Sequence, residues 1–185
     1  MTTYALNGLG RIGKLALRPL IERGAQIAWI NDAVGDPAMH AHLLEFDTVH
    51  GRWDADFAAD DGSVTVDGVR LPFVGTTDLA ALPLSGVDVV IDCTGVFKSE
   101  AALAPYFEAG VKKVVVSAPV KDGPTANIVY GVNAGTYDAS AHRIVTAASC
   151  TTNCLAPVVK VIHEALGIRH GSITTIHDVT NTQVI

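Results

Sequence analysis

Residues 147–159 read AASCTTNCLAPVV, and the residue there best suited to chemistry is Cys150. A thiol attacks as its thiolate, so it needs a place where negative charge is stabilised. The unpaired N–H groups and positive end of a helix N-terminus supply one. Leu155, Val158, Val159, Ile162 and Leu166 recur at helical spacing, which predicts a helix over 153–166 with Cys150 just before it or in its first turn. Cysteine often serves instead as a small apolar core residue. Ser149, Thr151, Thr152 and Asn153 weigh against an oily pocket around Cys150, whereas Cys154, on the apolar stripe, and Cys93, inside VIDCTG, read as packing. Three cysteines with C-x3-C as their closest spacing make neither a disulfide framework nor a zinc site, and no metal is expected. A nucleophilic cysteine needs a base or cationic partner. Of seven histidines, His177 fits best, because it ends the β-branched run Ser172–His177, which predicts a strand beside the Cys150 helix.

A second group lies near the start. Gly8-x-Gly10-x-x-Gly13 has the spacing that permits a tight turn, close approach of backbone to a pyrophosphate and close helix-to-strand packing. Such a turn also occurs without a ligand. Here the apolar run Tyr4–Leu6 precedes it and a helical pattern follows to Gly24, interrupted by Pro19, which should kink it. Asp32 ends the next strand, about 20 residues on, where a carboxylate accepts from ribose hydroxyls. Its charge would repel a 2′-phosphate, so the motif points to NAD rather than NADP.

The elements that must position these residues alternate. Strands are predicted at Gln26–Ile30, Val87–Ile91, Lys113–Ser117, Ala126–Tyr130 and Arg143–Ala147, and helices around Pro37–Glu45 and over Ser99–Ala109. Asp67-Gly68 marks a hairpin within Ser63–Val74. The alternation is that of an open, doubly wound sheet, so the fold class is α/β. The chain stops at Ile185 just after a strand begins, which reads as cut rather than finished. A net charge of -6 without a Lys/Arg cluster gives no footprint for nucleic acid or anionic lipid. No leader pattern and no apolar run of roughly 18–20 residues is present, so a cytoplasmic address is expected.

NGLGRIG, IND, HLLEFDTVHGRW, DCTGVF, VVVSAP, ASCTTNCLAPVVKV and TTIHDVTNTQ follow one another as in the phosphorylating glyceraldehyde-3-phosphate dehydrogenases, and the chain resembles that family over essentially all 185 residues. The resemblance implies that Cys150 attacks glyceraldehyde 3-phosphate to form a thiohemiacetal. His177 would take its proton as hydride leaves, and inorganic phosphate would cleave the resulting thioester to 1,3-bisphosphoglycerate. Ser149 and Thr151 resemble the attacking-phosphate site and Thr180 the substrate-phosphate site. Gly8, Gly10, Arg11, Ile12 and Gly13 resemble the pyrophosphate turn, Asp32 the ribose contact, Thr94 and Gly95 the adenosine side, and Ser117 a contact near the nicotinamide end. A homotetramer is implied for a full-length chain. The family members are longer, and the resemblance implies a doubly wound Rossmann-type NAD-binding domain over 1–149 followed by the start of a truncated α+β catalytic domain over 150–185, which lacks the rest of the catalytic sheet and would bind NAD rather than turn over.

Three departures stand out. Ala33 replaces the usual proline after the aspartate, Thr77 stands where an arginine often contacts adenosine, and Asp178 follows the base in HDVTNTQ. With HLLEFDTVHGRW they are similar to a branch associated with arsenate resistance, in which arsenate replaces phosphate as acyl acceptor. An erythrose-4-phosphate dehydrogenase or a non-catalytic NAD-binding module would also accommodate these residues.

Overall fold

The structure, a computed structural model, describes residues 1–177; Asp178 and Thr180 lie outside the described residues. Its centre is a six-stranded, all-parallel sheet. In chain order the elements are β1 (Thr3–Asn7), α1 (Arg11–Glu22), β2 (Gln26–Asn31), α2 (Pro37–Glu45), β3 (Phe46–Asp47), β4 (Gly51–Arg52), β5 (Phe57–Asp60), β6 (Ser63–Val66) and β7 (Val69–Pro72). After them come β8 (Val89–Asp92), α3 (Glu100–Glu108), β9 (Lys113–Val116), β10 (Thr125–Asn127), β11 (Ile144–Thr146) and α4 (Cys150–Leu166). The parallel sheet runs β10-β11-β9-β8-β1-β2; β3-β4 and β5-β6-β7 form small separate antiparallel sheets.

Alternation along the central strands makes two cores. Ala5, Trp29 and Val90 pack with Leu103 and Tyr106 of α3 on one face. Their neighbours Leu6, Ile30 and Ile91 pack on the other with Leu17 of α1 and Ala41 and Leu44 of α2. Successive side chains of a strand point to opposite faces, so apolar runs such as Val-Val-Ile are what a sheet covered on both sides requires. Helices on both faces of a parallel sheet are the doubly wound arrangement expected from the sequence.

The details show where local signals hold. The 67–68 turn has both residues in the left-handed region, Asp67 at φ 47° and Gly68 at 78°, as a two-residue hairpin needs. Helix α1 stays one element through Pro19 to Glu22. Two expectations fail. Residues 172–177 form no strand, since no strand among the described residues pairs with them and a strand exists only through its ladder. Cys154 is exposed rather than packed, because no residue of α4 is buried.

Candidate active site

All six strands of the main sheet are parallel, so their C-terminal ends share one edge, and both candidate groups sit there. Chain order reverses between β1 and β8, and at such a switch point a crevice opens beyond the strand ends. It encloses about 370 Å³ and is lined by Gly8, Gly10, Asp32, Thr77, Thr94 and Cys93 among others.

The three glycines have separate reasons. Gly8 has φ +96°, and a Cβ there would lie 2.7 Å from the backbone of Cys93 and Thr94. A Cβ on Gly13 would overlap the Gly8 carbonyl oxygen, so that glycine lets α1 press against β1. Gly10 is different: its φ is −68°, and a Cβ would meet nothing within 4 Å. The protein itself needs no glycine at that position, yet the residue faces the crevice. That is the space a ligand's pyrophosphate would use, and it fits a dinucleotide.

Gly10 also caps α1 without a side chain, and the first turn holds no acidic residue. The amides of Arg11, Ile12 and Gly13 therefore lack intrahelical partners at the positive helix end. Asp32 closes the other side. Its Oδ2 accepts from the Leu9 N–H at 2.7 Å and its Oδ1 from the Val34 N–H at 3.0 Å, which fixes the carboxylate at the β2 end of the crevice. Burial pushes the Lys14 ammonium down, with the nearby Asp32 charge opposing it. Burial pushes the Cys93 thiol up to about 11, so it lines the crevice as an uncharged group. Thr77 and Thr94 line the crevice, and Gly95 follows at φ +69°. Ser117 does not line it; at the end of β9 it donates its N–H to the Asp92 carbonyl at 2.9 Å.

The second group grows from β11. Two residues after that strand Ala148 takes φ +57°, rare for a residue with a Cβ, while its N–H donates to Thr146 Oγ1 at 3.0 Å. Ser149 then caps α4, its Oγ accepting from the Thr152 N–H at 3.1 Å. Asn153 ties the entry from inside the helix, donating to the carbonyls of Ala147 at 2.6 Å and Ser149 at 2.9 Å. Cys150 is thus the first helical residue, with Sγ 3.4 Å from His177 Nε2. The hydrogen bond to His177 draws the thiol below its usual range; backbone and hydroxyl groups of Thr151 add to this. Cys150, Thr151 and His177 line one open pocket. Among the described residues no cluster of ligating side chains could hold a metal, and no helix is long and apolar enough to cross a membrane.

Sequence reasoning missed the asparagines that end β1 and β2, Asn7 and Asn31, which also line the crevice. A polar residue closing an apolar strand at the glycine edge was their available signal. Nothing in the apolar pattern of α3 marked Tyr106.

Residues 2–100 match the sequence profile described as glyceraldehyde 3-phosphate dehydrogenase, NAD binding domain, and 149–185 match the C-terminal domain of the same family. The chain belongs to the glyceraldehyde 3-phosphate dehydrogenase family. Its cofactor is NAD. The chain is 51% identical over 183 residues to glyceraldehyde-3-phosphate dehydrogenase 3 of Nostoc sp., covering 97% of this chain and 54% of that one. The Pseudomonas aeruginosa glyceraldehyde-3-phosphate dehydrogenase is 48% identical over 97% of this chain and 54% of its own. The Chondrus crispus cytosolic enzyme is 45% identical, over 96% and 53%. The chain thus spans about half the length of the curated relatives it matches.

Proposed function

We propose that this chain supplies the nucleotide-binding half and the nucleophile for NAD-dependent oxidative phosphorylation of glyceraldehyde 3-phosphate to 1,3-bisphosphoglycerate. The observation that carries the reading is the 3.4 Å pairing of Cys150 Sγ with His177 Nε2 on the sheet edge that holds the crevice. Strands lie about 4.8 Å apart, so β11, which delivers Cys150, ends roughly 14 Å from β1 across β9 and β8. An extended dinucleotide can bridge that span, with adenosine toward Asp32 and the nicotinamide toward Cys150.

In this reading residues 1–149 bind NAD and residues 150–185 open the catalytic domain. Gly8, Gly10 and Gly13 with the amides of Arg11 and Ile12 receive the pyrophosphate. Asp32 accepts from the ribose, Thr77, Thr94 and Gly95 bound the adenosine side, and Ser117 stands toward the nicotinamide. NAD when bound supplies the hydride acceptor. The Cys150 thiolate adds to the aldehyde carbon, and His177 takes the hydroxyl proton of the thiohemiacetal as it is oxidised to a thioester. Ser149 and Thr151, the residues flanking Cys150 in the sequence, offer hydroxyls to the oxyanion that cleaves the thioester; Thr180, outside the described residues, is proposed for the substrate phosphate. A cytoplasmic location and a homotetramer for the whole enzyme accompany this reading.

The test incubates an enzyme of the relatives' full length that carries these residues with NAD, glyceraldehyde 3-phosphate and phosphate, and follows NAD binding by calorimetry both there and in the 185-residue chain. The full-length enzyme should form NADH, Cys150→Ser should abolish this with NAD affinity unchanged, and the 185-residue chain alone should bind NAD without turnover. Binding without turnover in the full-length enzyme reduces the role of these residues to an NAD-binding module, and turnover retained in Cys150→Ser refutes the nucleophile. Running arsenate against phosphate, and erythrose 4-phosphate against glyceraldehyde 3-phosphate, in the same assay assigns acceptor and substrate.

A further inference from the structure

Beneath the crevice runs a chain of buried polar side chains whose central member, Tyr106, no direct ligand contact would nominate. Thr76, in the loop after β7, holds Asn31 by two bonds: its N–H donates to Asn31 Oδ1 at 2.9 Å and its carbonyl accepts from Asn31 Nδ2 at 2.8 Å. That clamp fixes which end of the amide is which. Asn31 Nδ2 donates to Asn7 Oδ1 at 2.7 Å, so Asn7 must turn its own Nδ2 away, and it donates to the Tyr106 hydroxyl at 2.6 Å. The Tyr106 hydroxyl donates to Asp92 Oδ2 at 2.8 Å, while Asp92 Oδ1 accepts from the N–H and hydroxyl of Thr94 at 3.1 and 2.7 Å.

Asn7, Asn31, Asp92 and Tyr106 are each at most 2% exposed. Tyr106 lies on α3 and does not line the crevice, whereas Asn7, Asn31, Thr76 and Thr94 all do. The chain crosses the ends of β8, β1 and β2 and ties both crevice loops, at 76 and at 94, to one hydroxyl. Buried polar groups polarise one another and are expensive to leave unpaired, so removing the central member unsettles the amides on the crevice side.

We propose that Tyr106 is a positioning residue for NAD: through Asn7 and Asn31 it fixes the polar wall and the Thr76 loop that bound the adenosine half of the cofactor. This rests on the assignment of the crevice to NAD. Adenosine belongs at this end because Asp32, the ribose acceptor, closes the β2 side.

The test is a double-mutant cycle on the full chain, with NAD and AMP affinities measured by calorimetry and folding by circular dichroism. Tyr106→Phe keeps the ring in its pocket and is expected to raise both dissociation constants roughly three- to tenfold. In an Asn7→Ala background the same substitution should have no further effect, because the route through Asn7 is already cut; a merely structural role would weaken binding equally in both backgrounds. If Tyr106→Phe unfolds the chain, Asp92→Asn, which keeps side-chain shape, takes its place in the cycle with the same expectation. Unchanged NAD affinity in the folded variant, unchanged AMP affinity, or additive effects overturn the inference alone. Failure of the wild-type chain to bind NAD overturns the proposed function and this inference with it.

Discussion

The crevice and the cysteine helix share one sheet edge but are held there by different physics. Around the crevice the walls are buried on both faces of the sheet, glycines bring backbone against backbone, and the polar side chains are paired into one network. Helix α4 has no buried residue; Val158, Val161 and Leu166 are 55%, 66% and 83% exposed. What fixes Cys150 is local: a serine cap, an asparagine reaching back, and a left-handed alanine at the exit of β11. Among the described residues, then, burial preorganises the crevice, while a few hydrogen bonds at a strand end set the direction of the cysteine.

If that contrast is right, the largest effect comes from the covered side. Leu103→Ala, at a site with no exposure, should cost roughly 2–5 kcal/mol in denaturant unfolding, because the cavity opens between α3 and the sheet. Gly10→Ala comes next and should separate binding from folding. A Cβ there meets no protein atom, so the melting temperature should stay within a few degrees while the NAD dissociation constant rises about tenfold, near 1.4 kcal/mol. Loss of the fold in Gly10→Ala would mean that the glycine serves the chain rather than the ligand.

On the open side, His177→Ala should act on reactivity and leave stability alone. The hydrogen bond from His177 lowers the Cys150 pKa, so thiolate persists to lower pH than in an ordinary cysteine. Alkylation of Cys150 by iodoacetamide, followed against pH, should therefore shift its midpoint upward in the variant; an unmoved midpoint would leave Thr151 and the helix end as the cause. The smallest effect closes the comparison. Ile162→Ser, at a residue 43% exposed on α4, should change stability by less than about 0.5 kcal/mol. A larger loss would show that the helix face is packed in solution.

What was legible in the sequence follows the range of each signal. The strand–glycine turn–helix unit and the 67–68 hairpin are written within a few residues, and both are present. Gly13 carries its reason in its contact with Gly8 five positions earlier. The network was not readable, because Asn7 and Tyr106 meet across 99 positions and only the sheet order brings them together. Short strands such as β5, Phe57–Asp60, were invisible for a different reason: four residues without alternation carry no periodic signal, although the partner β6 follows after a two-residue turn. Ser172–His177 shows the converse failure: β-branched composition describes a residue's preference, and pairing requires a neighbour.

The exit from β11 has one more consequence. Only Ala147, Ala148 and Ser149 separate Thr146, the last residue of the strand, from Cys150. A tether of four steps reaches at most roughly 14 Å even when drawn straight, and the reversal at Ala148 shortens it. The sulfur therefore inherits its coordinates from the nucleotide sheet, as the tip of a short bracket inherits those of a wall. One added residue would lengthen that bracket by about 3.3 Å, as much as the whole gap between thiol and imidazole. The tolerance of this chemistry to insertion is thus set at the strand end, before the helix begins.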